Sequence, residues 1–154
     1  MTKLDAIDRR LLTLLQEDAK VNIKEVAAQL NMTKTPIYER IKRYDQEEII
    51  DKYVAVLNRE KVSKAMVVFC SVSLESQKLA EIQKFSEAVE QIPEVMECYL
   101  MGGANDFLLK VVVADLEAYH QFSSGKLAAL PNVGQIKSTF VLNEIKRSTV
   151  FPLL

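Results

Sequence analysis

A chain of 154 residues that is 49% hydrophobic and 27% charged has the balance of a folded globular protein. Its longest uninterrupted apolar run is the six residues Ala65 to Cys70, far short of the ~18–20 needed to cross a bilayer. With 20 Lys and Arg against 21 Asp and Glu the chain is nearly neutral, so a nucleic-acid partner would have to be met by a local patch and not by total charge.

The first third reads as helices. In "LDAIDRRLLTLLQED", Ile7, Leu11, Leu14 and Leu15 follow the i, i+4, i+7, i+8 spacing of one buried stripe, and Asp5 and Asp8 sit where a helix N-terminus favours negative charge. "NIKEVAAQL" offers Asn22 as N-cap with Glu25 three residues on, a capping-box arrangement, and Ile23, Val26, Ala27 and Leu30 share one face. Asn31 suits the left-handed residue that ends a helix; Thr33 or Thr35 caps the next one, and Pro36 fits only in its first turn. Ile37, Ile41 and Tyr44 form the inward stripe of this third helix. Near "EEIIDKYVAVLN" the period becomes extended, and Tyr53, Val54, Val56 and Leu57 predict a short strand. Residues 58–64 read as a connection.

The remainder alternates strand and helix patterns. "AMVVFCSVSL" is a β-branched and aromatic run, and "QKLAEIQKFSEAVEQI" carries Leu79, Ile82, Phe85, Val89 and Ile92 at helical spacing before Pro93 ends it. "EVMECYLM" and "DFLLKVVVA" are strands separated by "GGAN", read as a tight turn. Asp115 caps "LEAYHQFSSGKLAAL", and "GQIKSTFVL" is the fourth strand. The order β-α-β-β-α-β is the ferredoxin-like arrangement. The fold class is therefore α+β, a helix-turn-helix (winged-helix-like) domain over 1–50, a linking strand and connection over 51–64, and a ferredoxin-like βαββαβ domain over 65–154.

The stretch "NMTKTPIYERIKRY" concentrates Lys34, Arg40, Lys42 and Arg43 against one acid, Glu39. With 100° per residue, Ile37, Ile41 and Tyr44 cluster on one side, while Thr35, Glu39, Lys42 and Arg43 point roughly the opposite way. Two short helices joined by a turn, the second basic on its outer face, are the parts of a helix-turn-helix that places its second helix in the major groove. An apolar side holds such a helix rigid, and short polar groups with long cations reach bases and phosphates. The DNA-facing candidates are Lys34, Thr35, Tyr38, Glu39, Arg40, Lys42 and Arg43. Tyr38 lies between the two faces, where packing and phosphate contact fit equally; Glu39 suits accepting from a cytosine or restraining an arginine.

A second candidate is the turn Gly102, Gly103, Ala104, Asn105, Asp106. Two glycines permit positive φ and close approach of a ligand to backbone N–H groups; Asp106 suits pairing with an α-ammonium group, and Asn105 suits reading a carboxylate or amide. A plain hairpin turn has the same composition.

Taken together, "KVNIKEVAAQLNMTKTPIYERIKRY", "IIDKY", "MGGANDFLLKV" and the closing "EIKRSTVFPLL" resemble the Lrp/AsnC (leucine-responsive/asparagine-related, feast-famine) family of transcription regulators over essentially the whole chain. The resemblance implies sequence-specific binding of double-stranded DNA by the first domain. It further implies a second domain for oligomerisation, as dimers assembling into tetramers or octamers, and for a small amino-acid effector at contacts between dimers. The family's Gly-Asp-Tyr-Asp effector turn resembles Gly103-Ala104-Asn105-Asp106, with its first acid and its Tyr replaced. Asn31 and Lys52 stand where the family often has Gly, and Lys52 adds a cation near the DNA side. Ser138 and Thr139 are weaker candidates for the opposite wall of that pocket.

Other residues read as ordinary. His120, the sole histidine, lies with Tyr119 and Phe122 on a helix; Met66, Met96 and Met101 fill core or interface gaps. Cys70 and Cys98 sit in apolar runs without CxxC spacing or a nearby histidine, which points to reduced, buried side chains and no metal. No Ser/His/Asp set, Walker loop or carboxylate pair supports catalysis, and no cofactor is implied beyond the amino-acid effector. The polar start "MTKLDAIDRR" is no secretory signal, so a cytoplasmic, nucleoid-associated protein is expected. The competing readings are an architectural protein that wraps DNA without an effector, and a ferredoxin-like metabolic enzyme with an accessory helical domain.

Overall fold

The computed structural model describes residues 3–153. The chain divides into two compact units. One takes the residues up to Val56 together with those from Ile145 onward, and the other runs from Leu57 to Glu144.

The first unit holds three helices. α1 (Ala6–Glu17) opens on a reciprocal capping box in which the Asp8 N–H donates to Asp5 at 2.7 Å and the Asp5 N–H to Asp8 at 3.0 Å. Its buried stripe is Asp8, Leu11, Leu12 and Leu15, turned by one position from the expected Ile7, Leu11, Leu14 and Leu15; Ile7 and Leu14 are half-buried. The rotation brings an acid into the core side of the helix. α2 (Ile23–Gln29) is capped by the Asn22 side chain, which accepts from the Lys24 N–H at 2.9 Å. Glu25 accepts from the Asn22 side-chain amide and not from its backbone N–H, and its own N–H donates to the Asn22 carbonyl, so Asn22 caps the helix but the predicted box is not formed. Asn31 closes α2 at φ 53°, with the Met32 N–H reaching the Ala27 carbonyl at 2.8 Å, the six-to-one bond of a Schellman ending.

α3 (Lys34–Gln46) follows Thr33, whose side chain makes no cap bond. Pro36 sits in the first turn, where it forfeits no helical bond. The helix ends as α2 does: Glu48 takes φ 53° and the Ile49 N–H donates to the Tyr44 carbonyl at 2.9 Å. Leu11, Leu12, Leu15, Val26, Ala27, Ile37 and Tyr44 form the core of the three helices.

The strand predicted over Tyr53–Leu57 is not formed. No strand occurs in the first unit among the described residues, because a strand requires a ladder partner and this segment has none within one chain. Tyr53 is held by its hydroxyl on Asp45 at 2.9 Å, while Val54 and Val56 are exposed. The closing residues run against α1: Gln16 exchanges bonds with the Phe151 backbone at 2.6 and 3.2 Å, and Arg9 donates to the Leu153 carbonyl at 3.1 Å. Half-buried Leu153 packs on the first unit's core.

The second unit begins with a short helix, α4 (Arg59–Val62), and then follows the predicted order: β1 (Met66–Leu74), α5 (Leu79–Glu90), β2 (Val95–Leu100), β3 (Phe107–Val113), α6 (Leu116–Gln121) and β4 (Val133–Phe140). All strand pairs are antiparallel, in the order β2-β3-β1-β4. Alternate residues Val68, Cys70, Val72 and Leu74 of β1 and Phe107, Leu109, Val111 and Val113 of β3 pack with Phe85, Val89, Tyr119, Phe122 and Leu127 from the helical side. Phe85 and Phe107 meet with ring centroids 4.5 Å apart. The helix predicted as one run from Leu116 passes at Phe122 into a π-helical turn ending at Leu127, with the Ala128 N–H on the Ser123 carbonyl. Gly134 is closely packed at the bulge of β1: a Cβ there would lie 3.2–3.4 Å from Glu75 and Ser73, so these neighbours would have to give by a few tenths of an ångström. Cys98, expected in the interior, is exposed because it lies on the edge strand β2.

Candidate functional site

On α3 the helical wheel separates the side chains as predicted, with Arg43 the exception. Lys34, Thr35, Tyr38, Glu39 and Lys42 are exposed, with Tyr38 at 57%, while Ile37 and Tyr44 are fully enclosed. Arg40 and Arg43, by contrast, turn back toward α1. Arg40 bonds Asp8 through Nη1 and Asp5 through Nη2 at 2.9 Å; Arg43 Nη2 lies 2.6 Å from Asp8 Oδ1. Their side chains are 20% and 38% exposed. The Arg43 guanidinium also lies 5.4 Å from the centroid of the Tyr44 ring, and its Nε is enclosed with no partner among the described residues. The wheel gave the direction of the Arg43 Cβ; a long side chain reaches back across it.

The centre of this arrangement is Asp8, 1% exposed. The Tyr44 hydroxyl donates to its Oδ1 at 2.7 Å. Burial drives the Asp8 carboxyl up, but hydrogen bonds from Tyr44, the Asp5 N–H and Arg40 outweigh it and hold the group at about 2, against an ordinary 3.8. Burial and the same acid push the Tyr44 hydroxyl above its usual value. Taken from the sequence, the position of Asp8 suits a partner for the helix dipole and nothing more. The signal for its larger role was present: Asp8 precedes Leu11, Leu12 and Leu15 by three, four and seven, so it lies in phase with the leucines.

In the second unit, residues 101–106 form an open loop and not a tight turn, since Leu100 and Phe107 are the last paired residues of β2 and β3. The Met101 N–H closes it on the Asp106 carbonyl at 2.8 Å. Neither Gly102 nor Gly103 has positive φ, and a Cβ at either would meet nothing within 4 Å. The predicted conformational reason for these glycines is thereby corrected: within one chain, neither backbone geometry nor packing demands them. Gly102, Gly103 and Ala104 are exposed, and Asn105 and Asp106 are half-buried.

Asp106 anchors the loop. Its Oδ2 accepts the Leu74 N–H at 2.7 Å and its own N–H donates to the Val72 carbonyl at 3.0 Å, while Asn105 accepts from Ser73 Oγ at 3.3 Å. Asp106 Oδ1 has no partner among the described residues. Ser138 is joined to the Tyr119 hydroxyl, which also meets the Cys70 sulfur at 3.3 Å. Ser138 thus faces the helix-covered side, and its neighbour Thr139 the other. A concavity of about 390 Å³ between α5 and β2 touches the loop only through its flanking residues Leu100 and Phe107. No group of three or more His, Cys, Asp or Glu side chains gathers as a metal set among the described residues, and no helix there is long and apolar enough to cross a membrane.

Comparison with known proteins finds two domain matches and whole-chain relatives. Residues 4–45 match the AsnC-type helix-turn-helix domain, and residues 67–151 match the Lrp/AsnC ligand binding domain. The chain is 38% identical over 153 residues to the Bkd operon transcriptional regulator of Pseudomonas aeruginosa, covering 99% of this chain and all of the relative. Among solved structures, an AsnC family transcriptional regulator from Agrobacterium tumefaciens superposes with a TM-score of 0.89 at 34% identity, over 97% of both chains. A Neisseria meningitidis transcriptional regulator in complex with L-Met does so with a TM-score of 0.89 at 29% identity, again over 97% of both. These relatives are transcriptional regulators. The two domain matches, the whole-chain identity and an exposed polar side on α3 lead to one conclusion: the chain belongs to the Lrp/AsnC family and is a DNA-binding transcriptional regulator.

Proposed function

We propose that α3 reads DNA through Lys34, Thr35, Tyr38, Glu39 and Lys42, with the lysines on phosphates and the shorter polar groups toward base edges. The observation that carries this reading is the sorting of α3: these five side chains are exposed on a helix whose opposite side is clamped by Ile37 and Tyr44. Arg40 and Arg43 are already engaged with acids of α1 and are not counted as phosphate contacts. Titration against duplex DNA tests the assignment. Lys42→Ala should weaken binding to all sequences alike and flatten the salt dependence by ~0.9 log units per log unit of salt for each chain bound on the DNA. Thr35→Ala should instead lower the preference for a selected site over random DNA.

The chain works as a dimer or larger assembly, and the site it reads is a paired half-site. Support comes from the sheet: β1 and β3 carry Val67, Phe69, Leu108 and Val112 on the face opposite the helices, all only half-buried in one chain. Sedimentation of the full chain at micromolar concentration checks this, and a compact monomer would refute it.

An amino acid is the effector, bound at the loop 102–106, with Asp106 Oδ1 toward its ammonium group. The L-Met complex of the Neisseria relative supports the ligand class, and the loop's open glycines leave room for a bound molecule or a second chain. A thermal-shift screen of amino acids, L-Met included, tests it: a true effector at a hundredfold excess over its Kd adds ~2.7 kcal/mol of apparent stability. No response to any amino acid would favour DNA wrapping without an effector. We place the protein in the cytoplasm, on the nucleoid, because its partner is chromosomal DNA.

A further inference from the structure

Asp8 is the only buried polar or charged side chain in either core among the described residues, and it is surrounded by donors from one side of the recognition helix. Arg40, Arg43 and Tyr44, at positions i, i+3 and i+4 of α3, all reach Asp8 Oδ1, and Oδ2 takes the Asp5 N–H at 3.0 Å. We infer that Asp8 is a positioning residue for DNA recognition: it fixes α3 against α1 and sequesters Arg40 and Arg43 as internal counter-ions, so that two of the helix's four cations are kept off phosphate. This rests on the reading of α3 as the DNA-contacting helix.

The physical consequence concerns specificity. A free arginine at the margin of a DNA-reading face binds any phosphate within reach, strengthening attachment to every sequence alike and steepening the salt dependence by ~0.9 log units per contact. An arginine engaged in charge-assisted bonds with an enclosed carboxylate must abandon them to reach DNA. Arg40 is shared between two acids, and Arg43 has its Nε enclosed beside the Tyr44 ring. Non-specific binding is then left mainly to Lys34 and Lys42. The clamp also limits rotation of α3 about its own axis, which would otherwise carry Thr35 and Glu39 away from the bases. A carboxylate that served only to stabilise the three-helix unit would change the folded fraction on mutation and nothing in how each folded molecule meets DNA.

The test uses the full chain and two duplexes: a long one of random sequence, and the tightest binder recovered by selection from a random library. Asp8→Asn preserves shape while removing the charge that holds the arginines. With folded fraction measured by circular dichroism, the variant should bind random duplex more tightly at low salt. Its salt slope should steepen by ~0.9–1.8 for each bound chain, and its preference for the selected site should fall by roughly an order of magnitude. In the otherwise unaltered protein, Arg43→Gln should leave the salt slope unchanged, whereas Lys42→Gln should flatten it by ~0.9 for each bound chain. A folded Asp8→Asn protein with unchanged slope and preference would overturn the inference. So would an Arg43→Gln protein whose slope flattens as much as that of Lys42→Gln, and this comparison decides the matter alone if Asp8→Asn fails to fold. Wild-type protein showing no salt-dependent duplex binding would remove the DNA-reading role of α3 itself, a failure distinct from unchanged slopes in the variants.

Discussion

Asp8 in the first unit and Asp106 in the second are both acids beside a segment assigned a binding role, and they are used differently. Asp8 is enclosed and saturated: both of its oxygens are occupied, by two arginines, a tyrosine and a backbone N–H. Asp106 is half-buried and half-satisfied, with one oxygen on the Leu74 N–H and the other without a partner among the described residues. A saturated carboxylate has no capacity left for a ligand and acts through what it holds in place. A half-satisfied one anchors its own loop and can still accept a cation. On the proposed reading, the contrast separates a region that is set before DNA arrives from one that is completed by its effector.

The largest expected effect comes from removing the saturated acid. Asp8→Ala leaves Arg43 without its counter-ion, Arg40 with Asp5 alone and the enclosed Tyr44 hydroxyl without its acceptor, and should destabilise the first unit by about 3–5 kcal/mol, read by hydrogen exchange of α1 and α3 amides so that the two units are followed separately. Asp106→Ala removes one hydrogen bond to a backbone N–H and should destabilise the second unit by only about 1–3 kcal/mol. Equal losses would dissolve the contrast.

Acid should act on the first unit in the same sense. The folded protein holds the Asp8 carboxyl at about 2, against 3.8 ordinarily, so the unfolded chain takes up the proton first and acid favours unfolding. This contribution, about 2 kcal/mol, is fully present above about pH 4 and disappears as the pH falls toward 2. Asp5, held low by the Asp8 N–H and Arg40, shifts in the same direction. Asp8→Asn should remove most of the drop in first-unit stability over this range, as measured by helix amide exchange or circular dichroism against pH.

A subtler substitution sharpens the other half of the comparison. Asp106→Asn retains an oxygen for the Leu74 N–H, so the second unit should lose less than about 1 kcal/mol, yet it removes the charge assigned to an ammonium group. Stabilisation by the amino acid found in the thermal screen should then vanish while the fold persists. Full calorimetric affinity in this variant would place the effector elsewhere.

The smallest effect concerns α3's end. Glu48 sits at φ 53°, where a side chain is strained and glycine is not, so Glu48→Gly should stabilise the first unit by about 0.5–1 kcal/mol, measured by thermal or urea unfolding.

The two helix endings also show what was legible in the sequence. Asn31 was readable because asparagine often takes the left-handed position; Glu48 adopts the same φ with a residue that gives no such signal. Strand order and core alternation in the second unit were written in β-branched runs with period two, and Asp115 capped α6 as its position predicted, accepting from the Ala118 N–H. What escaped depended on distant partners. The strand over residues 53–57 had the right composition but no ladder within the chain. The closing segment grouped with α1 through Gln16 and Arg9, which no local pattern announces. Among candidate site residues, the exposure of Thr35, Glu39 and Lys42 followed from helical phase; that of Lys34, which falls toward the Ile37 side of the wheel, and of Tyr38, between the faces, did not. The engagement of Arg40 and Arg43 required knowing that Asp8 lies inward, a rotation of one residue in a leucine-rich helix where two phases fit nearly as well.

The central claim, that the exposed side of α3 carries DNA contact while its arginines are held by α1, is tested most directly by salt titration of the double variant Lys34→Gln, Lys42→Gln against random duplex DNA. The account predicts a folded protein, unchanged in helix amide protection, whose salt slope is flatter than wild type by ~1.8 log units per log unit of salt for each chain bound on the DNA. A slope equal to that of the wild type would contradict it.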